Sequence, residues 1–135
     1  MAVNKDGFTV LEDGEILYDD LYLLSETDEK GIIKYASSSF CKVAGFTEEE
    51  LIGQPHNVVR HPEMPRAAFK MLWDSVQSKG YWTGYVKNAV KGGGYYWVYA
   101  TVLKSIIKVE KSVMYLLEQN LREKISKKPK SFTLL

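Results

Sequence analysis

The residues best suited to chemistry crowd into one stretch, GQPHNVVRHPEMPRAAFKMLW, from Gly53 to Trp73. It holds two histidines, two arginines, three prolines, an asparagine and a tryptophan in a length too short to build a core of its own. Such a segment is a tightly pinned connection or one wall of a binding site. Arg60 and His61 could donate to a diphosphate or to the edge of a polar ring, and could equally pin the loop through helix-end carbonyls. His56 and His61 lack the carboxylate or thiol company of a zinc site. No nucleophile stands beside a base. Ser37, Ser38 and Ser39 open a helix without a histidine or acid partner, and the glycines at 92–94 have no helix after them to cradle a phosphate. The chain therefore reads as a binding protein and not as an enzyme.

The surrounding elements must position these groups. Pro65 suits the first turn of a helix, where its missing N–H costs nothing. From there Phe69, Leu72, Trp73 and Val76 make one apolar stripe, Arg66, Lys70 and Gln77 face water, and Gly80 ends the helix after about Lys79. HNVVRHPEMP has no period and is a loop or single turn. Upstream, LYLLSETD from Leu21 and GIIKYAS from Gly31 form a hairpin across TDEKG. SSSFCKVAG is a short helix stopped at Gly45, and TEEELIG is another, with Thr47 and Glu50 in capping-box spacing and Gly53 closing it.

Downstream, strands over 82–91 and 95–107 flank the Gly92–Gly94 turn. Trp82, Gly84, Val86, Asn88 and Val90 share the buried parity of the first. Asn88 thus places an amide on an apolar wall, where leaving it unpaired costs about 1–3 kcal/mol. Either a neighbouring backbone group, a buried water or a ligand must satisfy it. Gly84, on the same face, fits close approach of another group. Tyr96, Val98, Ala100 and Val102 line the second strand's inner face and leave room for a flat ligand, while Tyr85, Trp97 and Tyr99 form an outer patch that wants covering. Residues 1–20 are a lead-in arm with, at most, a short helix. At the other end Val113, Tyr115 and Leu117 alternate as in a strand, whereas Val109, Val113, Leu116, Leu117 and Leu121 fit a helix. A strand from about Ser112 to Glu118, followed by a helix or tail, is favoured.

At 135 residues with 45% apolar content, the chain has the makings of one domain with one core. Eighteen basic against seventeen acidic residues give no field for nucleic acid or an acidic membrane. The single cysteine, Cys41, excludes an intrachain disulfide framework, and no apolar run approaches a signal peptide or a membrane span. A soluble cytoplasmic protein without direct membrane insertion is expected.

Three segments, TDEKGIIKYASSSFCKVAGFTEEELIG, PHNVVRHPEMPRAAFKMLW and GYWTGYVKNAVKGGGYYWVYATV, closely resemble the PAS domains of bacterial aerotaxis and energy-taxis receptors over about residues 22–107. The helix tryptophan and strand meander belong to PAS domains generally, and RHP narrows the likeness to the aerotaxis type. The resemblance implies an α+β PAS fold, with a five-stranded antiparallel sheet and short helices on one face. The sensor domain would span 21–119, between an arm at 1–20 and a tail or helix at 120–135. It implies noncovalent FAD whose redox state is sensed. Asn88 would contact the isoalloxazine ring, with Trp73 near it. Arg60, His61 and Glu63 would be tied to FAD binding, and His56 and Asn57 would face the ring edge or ribityl chain. The chain departs from the family at Glu63, more often aspartate there, and at MYLLEQNLREK, which replaces the usual final-strand words. The implied function is a redox or energy sensor. It would signal through the outer sheet face to a separate membrane-bound chemotaxis transducer, since no span or signalling coiled coil is present in the sequence. A cofactor-free interaction module, a homodimer through the same face, an FMN protein and a haem-based gas sensor remain open.

Overall fold

The computed structural model describes residues 2–18 and 22–104, and the backbone of 114–119. Residues 2–18 form a three-stranded antiparallel meander, β1 (Ala2–Val3), β2 (Thr9–Val10) and β3 (Ile16–Leu17), in place of the short helix allowed for. The turns decide this. Asn4 accepts from the amides of Asp6 and Phe8, Gly7 donates back to the Asn4 carbonyl, and Gly14 does the same to Leu11. The stretches left between these turns are too short to nucleate a helix. The meander lies on the body of the protein, with Ile16 and Tyr18 buried in the main core.

The main sheet contains β4 (Tyr22–Thr27), β5 (Ile33–Ala36), β6 (Tyr81–Ala89), β7 (Tyr95–Lys104) and β8 (Met114–Gln119), antiparallel throughout in the order β5-β4-β8-β7-β6. The ambiguous last segment is a strand because it fills the centre. It pairs Tyr22–Thr27 on one side and Tyr99–Lys104 on the other, satisfying two rows of backbone groups at once. Ser112, the expected tail at 120–135 and the expected end of the long strand at 105–107 lie outside the described residues.

Between β5 and β6 come α1 (Ser38–Ala44), α2 (Glu48–Leu51), a 3-10 turn (His56–Val59) and α3 (Arg66–Lys79). Ser37 caps α1, Thr47 and Glu50 form the expected capping box, and Gly80 ends α3 at a φ of 84° that favours glycine. Two boundaries move by one residue: Pro65 is the N-cap of α3, and Ile52 is the C-cap of α2 just before Gly53. Along α3, Ala68, Leu72 and Val76 are buried and Phe69 and Trp73 half-buried, so the stripe faces the sheet.

The core sits on the inner face, where Val86, Asn88, Tyr96, Val98, Ala100 and Val102 are all buried as the alternation requires. The group that approaches Gly84 is the chain's own Trp82, since a Cβ at Gly84 would stand 2.6 Å from its indole. Among the described residues no helix is long and apolar enough to cross a membrane.

Candidate functional site

The site begins at Asn88. Its side chain is 1% exposed, and neither Nδ2 nor Oδ1 has a hydrogen-bond partner. Val86 precedes it on the inner face of β6, and Tyr96 stands opposite on β7. An amide held in this way carries a desolvation cost that nothing in the fold offsets.

The RHPEMP loop closes over this place through its backbone. Arg60 forms an isolated antiparallel bridge with Asn88, and the His61 N–H donates to the Lys87 carbonyl at 3.3 Å. The Arg60 guanidinium turns back into its own loop and donates to the Met64 carbonyl at 2.6 Å. The His61 ring accepts from the Glu63 N–H at 3.1 Å and sets its edge against Tyr95, with centroids 5.9 Å apart. Glu63 pairs with Lys87 at 3.0 Å, which lowers its pKa. Partial burial, then the Lys87 charge, lower that of His61, and Glu63 opposes them. Arg60, His61 and Glu63 are therefore fastened to the loop and the edge strand.

A second group forms at the other end of the 3-10 turn. His56 is buried, stacks on Phe40 with centroids 5.8 Å apart, and shares a 3.0 Å hydrogen bond between its Nε2 and the Ser25 hydroxyl. Burial pushes its pKa down to about 4, so the ring is neutral. Its N–H donates to the Gly31 carbonyl, and the indole of Trp73 lies against Gly31, 3.5 Å from where a Cβ would be. His56 and Trp73 thus meet at Gly31. Thr27, two residues beyond Ser25 on the same face of β4, is buried with no partner for its hydroxyl. Asn57 is exposed, and its carbonyl accepts from the Arg60 N–H.

The structure brings Asn88, Arg60 and His61 together, joins His56 to Trp73, and leaves Asn57 at the surface. The reading of the loop and strands missed Ser25, Thr27, Lys87 and Tyr95. Ser25 and Thr27 share parity with the buried Leu23, so two hydroxyls on a core-facing parity were the available signal. For Lys87 and Tyr95 there was none, because their meeting depends on strand register.

Residues 33–114 match the profile of the PAS fold. The chain belongs to the PAS family. This PAS domain is 46% identical over 90 residues to the aerotaxis receptor of Escherichia coli (strain K12), a match covering 67% of the chain and 18% of the receptor, and is of that type. It is 26% identical over 126 residues to the nitrogen fixation regulatory protein of Klebsiella pneumoniae, covering 85% of the chain and 24% of that protein. The chain spans at most about a quarter of the length of these curated relatives. Among solved structures, the PAS domain of a protein from Colwellia psychrerythraea superposes with a TM-score of 0.67 at 19% identity, covering 76% of this chain and 87% of that one. The dark structure of the blue-light photoreceptor Aureochrome1 LOV superposes with a TM-score of 0.67 at 18% identity, covering 78% and 79%. These two share the fold.

Proposed function

We propose that this PAS domain binds FAD between its helices and the inner sheet wall, and serves as a redox or energy sensor for taxis. The observation that carries the reading is the buried Asn88 amide, with both polar atoms unpartnered. Its donor and acceptor stand side by side, which suits the alternating carbonyl and N–H edge of a flavin ring. The two groups of site residues lie at either end of a four-residue 3-10 turn, about 8 Å apart on a rise of 2.0 Å per residue, the scale of a fused three-ring system. Trp73 and His56 with Ser25 would line the far end. Arg60 and His61 would hold the loop in place rather than touch the ring.

When bound, the flavin supplies reversible electron uptake coupled to protonation at its ring. Asn88 answers such a change by turning its amide, because Nδ2 and Oδ1 are nearly the same size and exchange donor for acceptor. Arg60 and His61 share the backbone of β6 at Asn88 and Lys87, so the loop and strand feel that turn together. On the outer face, Tyr85 and Tyr99 stack edge to face at 5.4 Å, with Trp97 on the same parity of β7. That face would meet the partner, a separate membrane-bound chemotaxis transducer. The resemblance to an aerotaxis receptor supports the taxis role.

An absorption spectrum of the freshly purified protein, before and after dithionite, tests the reading. Twin flavin bands that bleach on reduction, with FAD released on denaturation, are expected. A featureless spectrum would overturn flavin binding and favour a docking module, and a Soret band would favour haem.

A further inference from the structure

We infer that the N-terminal arm is linked to the ligand, because Tyr95 holds both the seat of the arm and the strand that carries Asn88. The inference rests on the reading of Asn88 as a ligand contact. Tyr95 is tied to the arm by two different groups. Its phenol donates to Asp13 Oδ2 at 2.5 Å, and its N–H donates to the Gly14 carbonyl at 3.0 Å. Glu15 completes an isolated parallel bridge with it.

The ring of Tyr95 faces the site. Lys87 Nζ stands 4.2 Å from its centroid, and His61 presents its edge to it. The Lys87 side chain is only 12% exposed, so this cation–π contact is largely desolvated and stronger than a surface one. Lys87 also pairs with Glu63 and accepts from the His61 N–H through its carbonyl. It is the immediate neighbour of Asn88, on the opposite face of one pleat. A change of backbone twist at 87–88 therefore moves the Asn88 amide inward and the Lys87 cation outward as one piece.

The arm is able to respond. A cleft of about 420 Å³ separates parts of it from α1 and the β6–β7 hairpin, with Lys5 and Val10 on one wall and Lys42, Val90 and Lys91 on the other. Apolar packing of Phe8, Val10, Ile16 and Tyr18 holds it elsewhere. At the point of contact the fit is close: a Cβ on Gly94 would stand 2.7 Å from the Gly14 oxygen. Seated and lifted arms are then two states, and a ligand that favours one shifts the population toward it. The coupling is reciprocal.

Hydrogen exchange at the Tyr95 amide reports seating directly, since its acceptor belongs to the arm. The experiment compares the full chain with and without FAD by NMR, after absorption has established that FAD binds. An exchange rate differing about fivefold or more between the two forms is expected. Tyr95→Phe should shrink that difference and shift FAD affinity by a matching factor. Asp13→Asn, on the exposed side of the same bond, provides the second variant should Tyr95→Phe fail to fold. Equal exchange in the two forms would overturn the inference. So would an Asp13→Asn protein in which Tyr95 exchange quickens while FAD affinity stays unchanged. A wild-type chain that takes up no flavin defeats the reading of the pocket itself, and the linkage falls with it.

Discussion

Replacing Asn88 with leucine should move stability and ligand binding in opposite directions. In the fold as it stands the amide is 1% exposed and neither polar atom is paired. Each unmet buried group costs about 1–3 kcal/mol, and because the two share one side chain a combined cost of about 2 kcal/mol is reasonable. Leucine is close to asparagine in size, needs no partner and suits the apolar neighbours Val86 and Val98. The flavin-free Asn88→Leu protein should therefore be about 2 kcal/mol more stable than wild type. With a urea slope of about 2 kcal/mol/M, the midpoint would rise by about 1 M. Flavin affinity should fall, because two buried hydrogen bonds are lost. At about 1.4 kcal/mol per tenfold, a loss of about 2–3 kcal/mol weakens binding some 30- to 150-fold. Urea melts followed by tryptophan fluorescence and equilibrium titration with FAD measure the two effects separately. A destabilised flavin-free variant would mean that the amide has a partner within the fold. Undiminished affinity would mean that Asn88 does not touch the ligand. Either result refutes the reasoning.

Three further outcomes are expected. His56 has its folded pKa depressed to about 4 from 6.5, so stability is present in full above about pH 6.5 and is lost as the pH falls toward 4. The slope is about 1.4 kcal/mol per unit and the total about 3 kcal/mol, to be checked by urea melts at three pH values; His56→Gln should flatten the profile, and a slope that persists would show another group to be responsible. Gly84→Ala drives a Cβ to 2.6 Å from the Trp82 indole and should cost about 1–3 kcal/mol with a shift in tryptophan emission, whereas an unchanged melting temperature would contradict the packing. Arg60→Met removes the bond to the Met64 carbonyl and should make the flavin-free loop several times more sensitive to protease, as well as weakening FAD retention; unchanged cleavage with lost FAD would restore Arg60 to direct ligand contact.

Most of the fold was legible because local rules and burial agreed. Ser37, Thr47 and Gly80 set helix ends by capping chemistry that needs no tertiary information, and the parity of Val86, Asn88, Tyr96 and Val98 followed from period two. The arm was misjudged because its turns are made by side chains bonding their own backbone, as Asn4 and Asp13 do, a signal that hydrophobic periodicity ignores. Met114–Gln119 was ambiguous in isolation because its apolar residues fit both periods. Only the open place between β4 and β7 chooses the strand.

The site was legible in its residue types but not in their division of labour. Arg60 and His61 are the most distinctive words of the loop, yet their polar groups are taken up by Met64, Glu63 and Lys87. An irregular segment laid over a core must first satisfy its own backbone, and a guanidinium with several donors does this well. Asn88 has the opposite character. It sits in a regular strand whose backbone is already paired, so its side chain is free of structural duty and is left buried with unmet donors and an acceptor. The strand pays that cost in a place where an apolar residue would fit. Such an arrangement makes sense where an outside group completes the hydrogen bonds, and it ties that group to β6 at the point where Lys87 and Tyr95 hold the arm.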